Sequence, residues 1–133
     1  MAEPDISAIC RQAVLHGRQA GEEFDYMPES ISGLERILNA QNSLYKQGRL
    51  TEIYIWNLSV MMGVYLGQTL MHCGLRDRGY SWMTDDEGVP LLADGLGRYV
   101  SPIYKVRQRI LGGAGENVRE FFEDVLDAVE EAE

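Results

Sequence analysis

Side chains that hold metals or carry redox chemistry are scarce in this sequence: 133 residues contain two cysteines, Cys10 and Cys73, and two histidines, His16 and His72. A zinc site needs three or four Cys, His or carboxylate ligands at workable spacing. None of these four residues follows a metal-ligand spacing, so no metal is expected. The same scarcity limits nucleophilic catalysis, which asks for a nucleophile, a base and a group that orients the base. Cys73 or Ser59 with His72 is the pairing on offer. A histidine at the end of a buried helix reads first as a structural residue, and the chain is read as leaning away from an enzyme.

Positive charge is also in short supply, with 12 Lys and Arg against 21 Asp and Glu and a net charge of -9. Such a field repels phosphate backbones and anionic bilayers, which argues against nucleic acid and membrane surfaces as partners. The start, Met-Ala-Glu-Pro-Asp, lacks the basic and apolar stretches of a secretory leader, so a cytoplasmic location with reduced thiols is expected. Glycine-rich phosphate loops are missing too. Gly112-Gly113-Ala114-Gly115 is not followed by Lys-Ser or Lys-Thr. Asp85-Asp86-Glu87-Gly88 fails the calcium-loop pattern, because Gly88 is fourth and Leu96 twelfth where a glycine at six and a glutamate at twelve are needed. Turn propensity accounts for it. No cofactor is expected.

What is present is the pattern of one folded domain, residues 1–133. A chain of this length buries roughly 65–70% of the surface its unfolded form exposes, enough to fold without staples. Residues 5–20 repeat apolar side chains at helical spacing behind Asp5 as N-cap. A second helix is expected from Ser30 to Gln47, with Leu34, Ile37, Leu38, Gln41 and Tyr45 on one side and Gly48 as its stop.

From Ile53 to Leu75 no charged residue occurs. Asn57, Ser59, Gln68, Thr69 and His72 are spread around this run and no Lys/Arg cluster flanks it, so it reads as a central helix enclosed by the rest of the chain. Gly63 and Gly67 lie one turn apart, where a neighbour approaches closely.

After Gly74 the periodicity changes to alternation. Residues 78–84 and 89–94 flank Asp85–Gly88 and predict a β-hairpin, with Thr84 opposite Val89, Trp82 opposite Leu91 and Tyr80 opposite Ala93. A third strand is expected at Arg98–Val100. Ser101-Pro102 opens a helix with Ile103, Val106, Ile110 and Leu111 inward. The last helix, from Glu116 to Ala132, buries Val118, Phe121, Phe122, Val125, Leu126 and Val129. Lys105, Arg107 and Arg109 are expected to face its carboxylates. The fold class is therefore α+β and mainly helical, about five helices around a buried central one with a small antiparallel hairpin or three-stranded sheet.

Arg78, Tyr80, Trp82, Arg98, Tyr99 and Tyr104 gather near the hairpin, and Tyr, Trp and Arg are the residue types enriched at binding hot spots. They are the candidate binding residues. Core packing by Tyr80 and Trp82 is the competing reading.

Gly63-Val64-Tyr65-Leu66-Gly67, Gly79-Tyr80-Ser81-Trp82, and Val100-Ser101-Pro102 with Lys105-Val106 and Arg109-Ile110 together resemble a bacterial domain family of unknown function. The likeness spans roughly Ser30 to Leu126. It implies an α+β domain in a bacterial cytoplasm, similar to small acidic immunity or accessory proteins that act by binding, and it supplies no catalytic residue.

Three functions are compatible with these features. The leading one is a non-enzymatic protein-interaction domain, immunity-like or accessory. The second is a small-ligand binder or modest enzyme with a pocket between the central helix and the hairpin, lined by Tyr65, His72, Arg78, Tyr80, Trp82 and Tyr99. The third is a homodimer in which the partner is a second copy of the chain.

Overall fold

The computed structural model describes residues 4–131. Five α-helices and a three-stranded antiparallel sheet follow in the order α1 (Ile6–Gln19), α2 (Pro28–Lys46), α3 (Glu52–Leu70), β1 (Ser81–Thr84), β2 (Pro90–Ala93), β3 (Tyr99–Val100), α4 (Pro102–Gly112) and α5 (Val118–Glu131). The architecture is the mainly helical α+β class expected. Ala132, the expected end of the last helix, lies outside the described residues.

Local chemistry sets the helix ends. The Asp5 carboxylate accepts the Ala8 N–H at 3.0 Å, and the Thr51 hydroxyl accepts that of Tyr54 at 3.1 Å; each satisfies a donor that the first turn leaves free. α2 begins two residues before the expected Ser30, because Pro28 occupies its first turn with its ring dihedral preset for a helix. α5 begins at Val118 rather than Glu116: Asn117 Oδ1 accepts the N–H groups of Arg119 and Glu120 at 2.8 and 3.0 Å.

α3 is the core of the molecule. Leu58, Met62, Val64, Tyr65, Leu66 and Leu70 are all buried, and only the first two turns emerge, with Ile53 75% exposed and Asn57 exposed. Among the described residues, no helix is long and apolar enough to cross a membrane. The two glycines do what their spacing predicts. A Cβ on Gly63 would strike the Ile103 backbone of α4, and one on Gly67 would strike the Trp82 ring of β1. Helix α3 runs on into a kinked turn, Met71–Leu75, in which Gly74 leaves helical geometry.

The hairpin differs from expectation by one residue. Trp82 pairs with Leu92, Met83 with Leu91 and Thr84 with Pro90. Asp85 closes the hairpin just past β1: its N–H donates to the Val89 carbonyl at 2.9 Å and its carboxylate accepts the N–H groups of Glu87 and Val89. Three residues, Asp86–Gly88, then make the turn, with Gly88 left-handed at φ 83°. β3 is shorter than predicted and pairs Val100 with Leu92 and Tyr99 with Ala93.

Arg109 also departs from the predicted pairing. It crosses to α2 instead of α5, donating to both Glu35 oxygens at 2.7–3.0 Å and to Asn39 at 2.8 Å, and it is 1% exposed. Glu35 in turn accepts the Val118 N–H at 3.1 Å, so one carboxylate ties α2, α4 and the start of α5. Lys105 pairs with Glu116, just ahead of α5, at 2.7 Å.

Candidate functional site

Alternation along paired strands puts Trp82, Leu92 and Val100 on the inner face of the sheet and Ser81, Met83, Leu91, Ala93 and Tyr99 on the outer face. The inner face is used up in packing: Leu92 is fully buried, and the Trp82 indole N–H donates to Gln68 Oε1 at 2.9 Å. No element of the described chain covers the outer face, where Tyr99 is 68% and Met83 53% exposed. At its end the β2–β3 turn carries Leu96, 82% exposed.

That turn is held rigidly. Asp94 accepts the N–H groups of Leu96 and Arg98 and pairs with the Arg98 guanidinium at 2.6 Å. The backbone N–H of Leu96, followed by the Arg98 side chain and N–H, holds the Asp94 carboxyl below its usual range. Beside β3, a groove of about 290 Å³ runs between α4 and α5, floored by Val100, Tyr104, Phe121 and Val125 with Tyr99 at its mouth. Tyr104 packs at a tilt against Trp56, with centroids 6.0 Å apart, and Lys105 lies over the Phe121 ring at 5.5 Å. Burial, then the nearby charges of Asp85 and Glu87, raise the Tyr104 hydroxyl above its usual pKa. The surroundings are therefore acidic.

The six candidate binding residues do not form one surface. Tyr99 and Tyr104 meet at the groove, and Arg98 sits in the adjoining turn, committed to Asp94. Tyr80 is 5% exposed in the core. Trp82 is half-buried on Gly67, and Arg78 donates to the Val129 carbonyl of α5 at 3.2 Å. Tyr80 and Trp82 thus resolve as packing residues, and sequence spacing missed Met83, Leu96 and Phe121 as their exposed or groove-lining neighbours.

The pocket envisaged between the central helix and the hairpin is not formed by its expected lining. Tyr65 is fully buried, with its hydroxyl accepting the Tyr26 N–H at 2.9 Å and paired with Ser30 at 2.7 Å. A cleft of about 350 Å³ instead separates the first turns of α1 from the end of α3, and of the expected lining only His72 reaches it. Arg11, Tyr26 and Arg76, which also line it, were not singled out from sequence.

Nucleophile geometry is unfavourable. The Ser59 hydroxyl is buried and donates to the Ile55 carbonyl at 2.6 Å, and Cys73 donates to the Tyr26 carbonyl at 3.6 Å. Burial pushes the Cys73 thiol up, and pushes up that of Cys10 against a smaller opposing effect of the Tyr26 hydroxyl; both are poorer nucleophiles for it. Both cysteines are free. Among the described residues, no group of three His, Cys, Asp or Glu side chains could hold a metal ion.

The class defined by these observations is a small α+β domain whose distinctive surface is an uncovered sheet face beside an aromatic groove. No protein-family model, curated protein or solved structure matches the chain.

Proposed function

We propose that the chain is a non-enzymatic protein-interaction domain, immunity-like or accessory, working in a bacterial cytoplasm. The observation that carries this reading is the apolar outer sheet face, Met83, Leu91 and Tyr99, continued by Leu96 and left without a covering element of the described chain. Exposed apolar surface that is contiguous and ringed by polar groups marks association sites. Asp85, Asp86 and Glu87 stand between β1 and β2, and α5 exposes the carboxylates of Glu120, Asp124 and Asp127.

The partner this surface fits is a protein segment with an apolar or aromatic anchor between basic side chains, steered by the net charge of -9. The resemblance to a bacterial family similar to immunity and accessory domains points the same way. A second copy of the chain is disfavoured as the occupant, since two acidic faces would repel.

The test is comparative capture from a bacterial lysate by the wild-type chain and by the double variant Met83→Ser/Tyr99→Ser, with sedimentation of each. Proteins retained by the wild type and lost by the variant support the reading. An identical set retained by both overturns it, and a stable wild-type dimer that the variant dissolves would replace it with the homodimer.

A further inference from the structure

The α1–α3 cleft shares no lining residue with the sheet face or the groove, and three features converge on it. The first is its charge. In a chain of net charge -9, two guanidiniums, Arg11 and Arg76, line it with the imidazole of His72 against a single carboxylate, Asp25. Among the described residues, neither guanidinium has a hydrogen-bond or ion-pair partner, whereas those of Arg36, Arg98, Arg109 and Arg119 all hold carboxylates.

The second is backbone geometry. Tyr26 is the one non-glycine residue with positive φ among those described, at 65°. Left-handed backbone in a tyrosine is held only where its surroundings over-determine it, and such residues cluster at ligand sites. Here the Tyr65 hydroxyl takes its N–H and the Cys73 thiol binds its carbonyl, so the side chain is fixed at the cleft. The third is the turn Met71–Leu75 at the end of α3, where a kink at Gly74 takes the backbone out of helical geometry. His72 lies on that turn, and Arg76 follows it directly.

We infer that this cleft binds a small organic anion, its carboxylate or phosphate group held by Arg11, Arg76 and His72 and its apolar body resting on Ile6 and Tyr26. Guanidinium groups suit both headgroups, since their forked donors match either geometry. Gln68 adds a donor of its own: its carboxamide oxygen is taken by Trp82, which leaves the amide NH2 available. A cleft of about 350 Å³ falls at the small end of ligand pockets, which fits a single-ring molecule and not a nucleotide.

The inference stands apart from the partner surface and is tested apart from it. Isotope-labelled full chain is titrated with phenyl phosphate, with benzoate and with neutral benzyl alcohol while backbone amide shifts are followed. Saturable shifts at Arg11, Tyr26, His72 and Arg76 with either anion, and none with the alcohol, are expected; which anion binds more tightly separates phosphate from carboxylate as the headgroup. Arg11→Gln and Arg76→Gln, both on exposed side chains, should each weaken binding about tenfold while leaving the melting temperature unchanged. Absence of saturable shifts from both anions overturns the inference. So does affinity that survives the double variant, or equal binding of the alcohol.

Discussion

Replacing Gly63 with alanine tests how α4 meets the central helix. In an unencumbered helix the change would stabilise, because alanine is favoured over glycine by about 0.5–1 kcal/mol. Here the new methyl group would overlap the Cα and N of Ile103, and backbone atoms cannot swing aside as a flexible side chain could. α4 must withdraw, which loosens the contacts of Ile103, Val106 and Ile110, all fully buried. Overpacking of this kind costs about 1–3 kcal/mol, and the loosened contacts add to it, so a net loss of about 2–3 kcal/mol remains after the helix-propensity gain. With urea m-values of about 1–3 kcal/mol/M, the unfolding midpoint should fall by about 1 M, read by far-ultraviolet circular dichroism. Gly115→Ala is the control: nothing lies within 4 Å of its added methyl, and the midpoint should hardly move. If Gly63→Ala unfolds at or above the wild-type midpoint, the close crossing of α3 and α4 is wrong.

Arg109→Met removes the partner of a carboxylate that joins three helices, and should cost about 3 kcal/mol; pairing it with Glu35→Leu should recover a large part of that loss in a double-mutant cycle, and simple additivity would refute the coupling. Trp82→Phe deletes the hydrogen bond to Gln68 and some packing on Gly67, so about 1–2 kcal/mol should be lost; an unchanged midpoint would place the indole in solvent. Burial first, then the neighbouring Cys10 thiol, push the Tyr26 hydroxyl from 10.0 up to about 12. The folded state therefore holds that proton more tightly, so its contribution is complete below about pH 10 and is lost as the pH rises toward 12. Tyrosinate absorbance should show a late-titrating tyrosine that Tyr26→Phe removes, and a midpoint that rises across this window would contradict the sign.

Elements whose cause is local were legible in the sequence. The uncharged run from Ile53 to Leu75, the Asp5 cap and the Ser101-Pro102 helix start each carry their signal within a few residues, and Gly63 and Gly67 announced a close neighbour without saying which. The hairpin register failed by one position because an aspartate reads the same to propensity whether it ends a strand or begins a turn. The Asp85 N–H decides it, because its bond to the Val89 carbonyl sets those two residues opposite each other and leaves Asp86–Gly88 as the turn. Arg109 was assigned to the nearest acidic helix in sequence, but its guanidinium lies inward, and Glu35, 74 positions away, is what it reaches. The cleft was illegible for the same reason. Arg11, Tyr26 and Arg76 come from three separate segments, and the left-handed backbone of Tyr26 does not follow from residue type; its N–H and carbonyl are held by Tyr65 and Cys73.

The distribution of charge gives the two candidate surfaces opposite tasks. Most of the paired cations work as internal clamps, Arg109 on Glu35, Lys105 on Glu116 and Arg36 on Glu22, so they neutralise local carboxylates and leave the outward acids of α5 to dominate the far field. An anion approaching the α1–α3 cleft meets that repulsion before it meets Arg11 and Arg76. A bare inorganic anion has only the two guanidiniums and His72 to offset it, whereas one with a hydrophobic ring also gains from covering Tyr26 and Ile6. Burying a ring on those walls contributes about 2 kcal/mol, or roughly thirtyfold in affinity. Phenyl phosphate should accordingly bind the full chain at least about tenfold more tightly than inorganic phosphate at equal ionic strength. Equal affinities in calorimetry would mean that the apolar walls take no part, and that the left-handed Tyr26 is not there to receive a ligand.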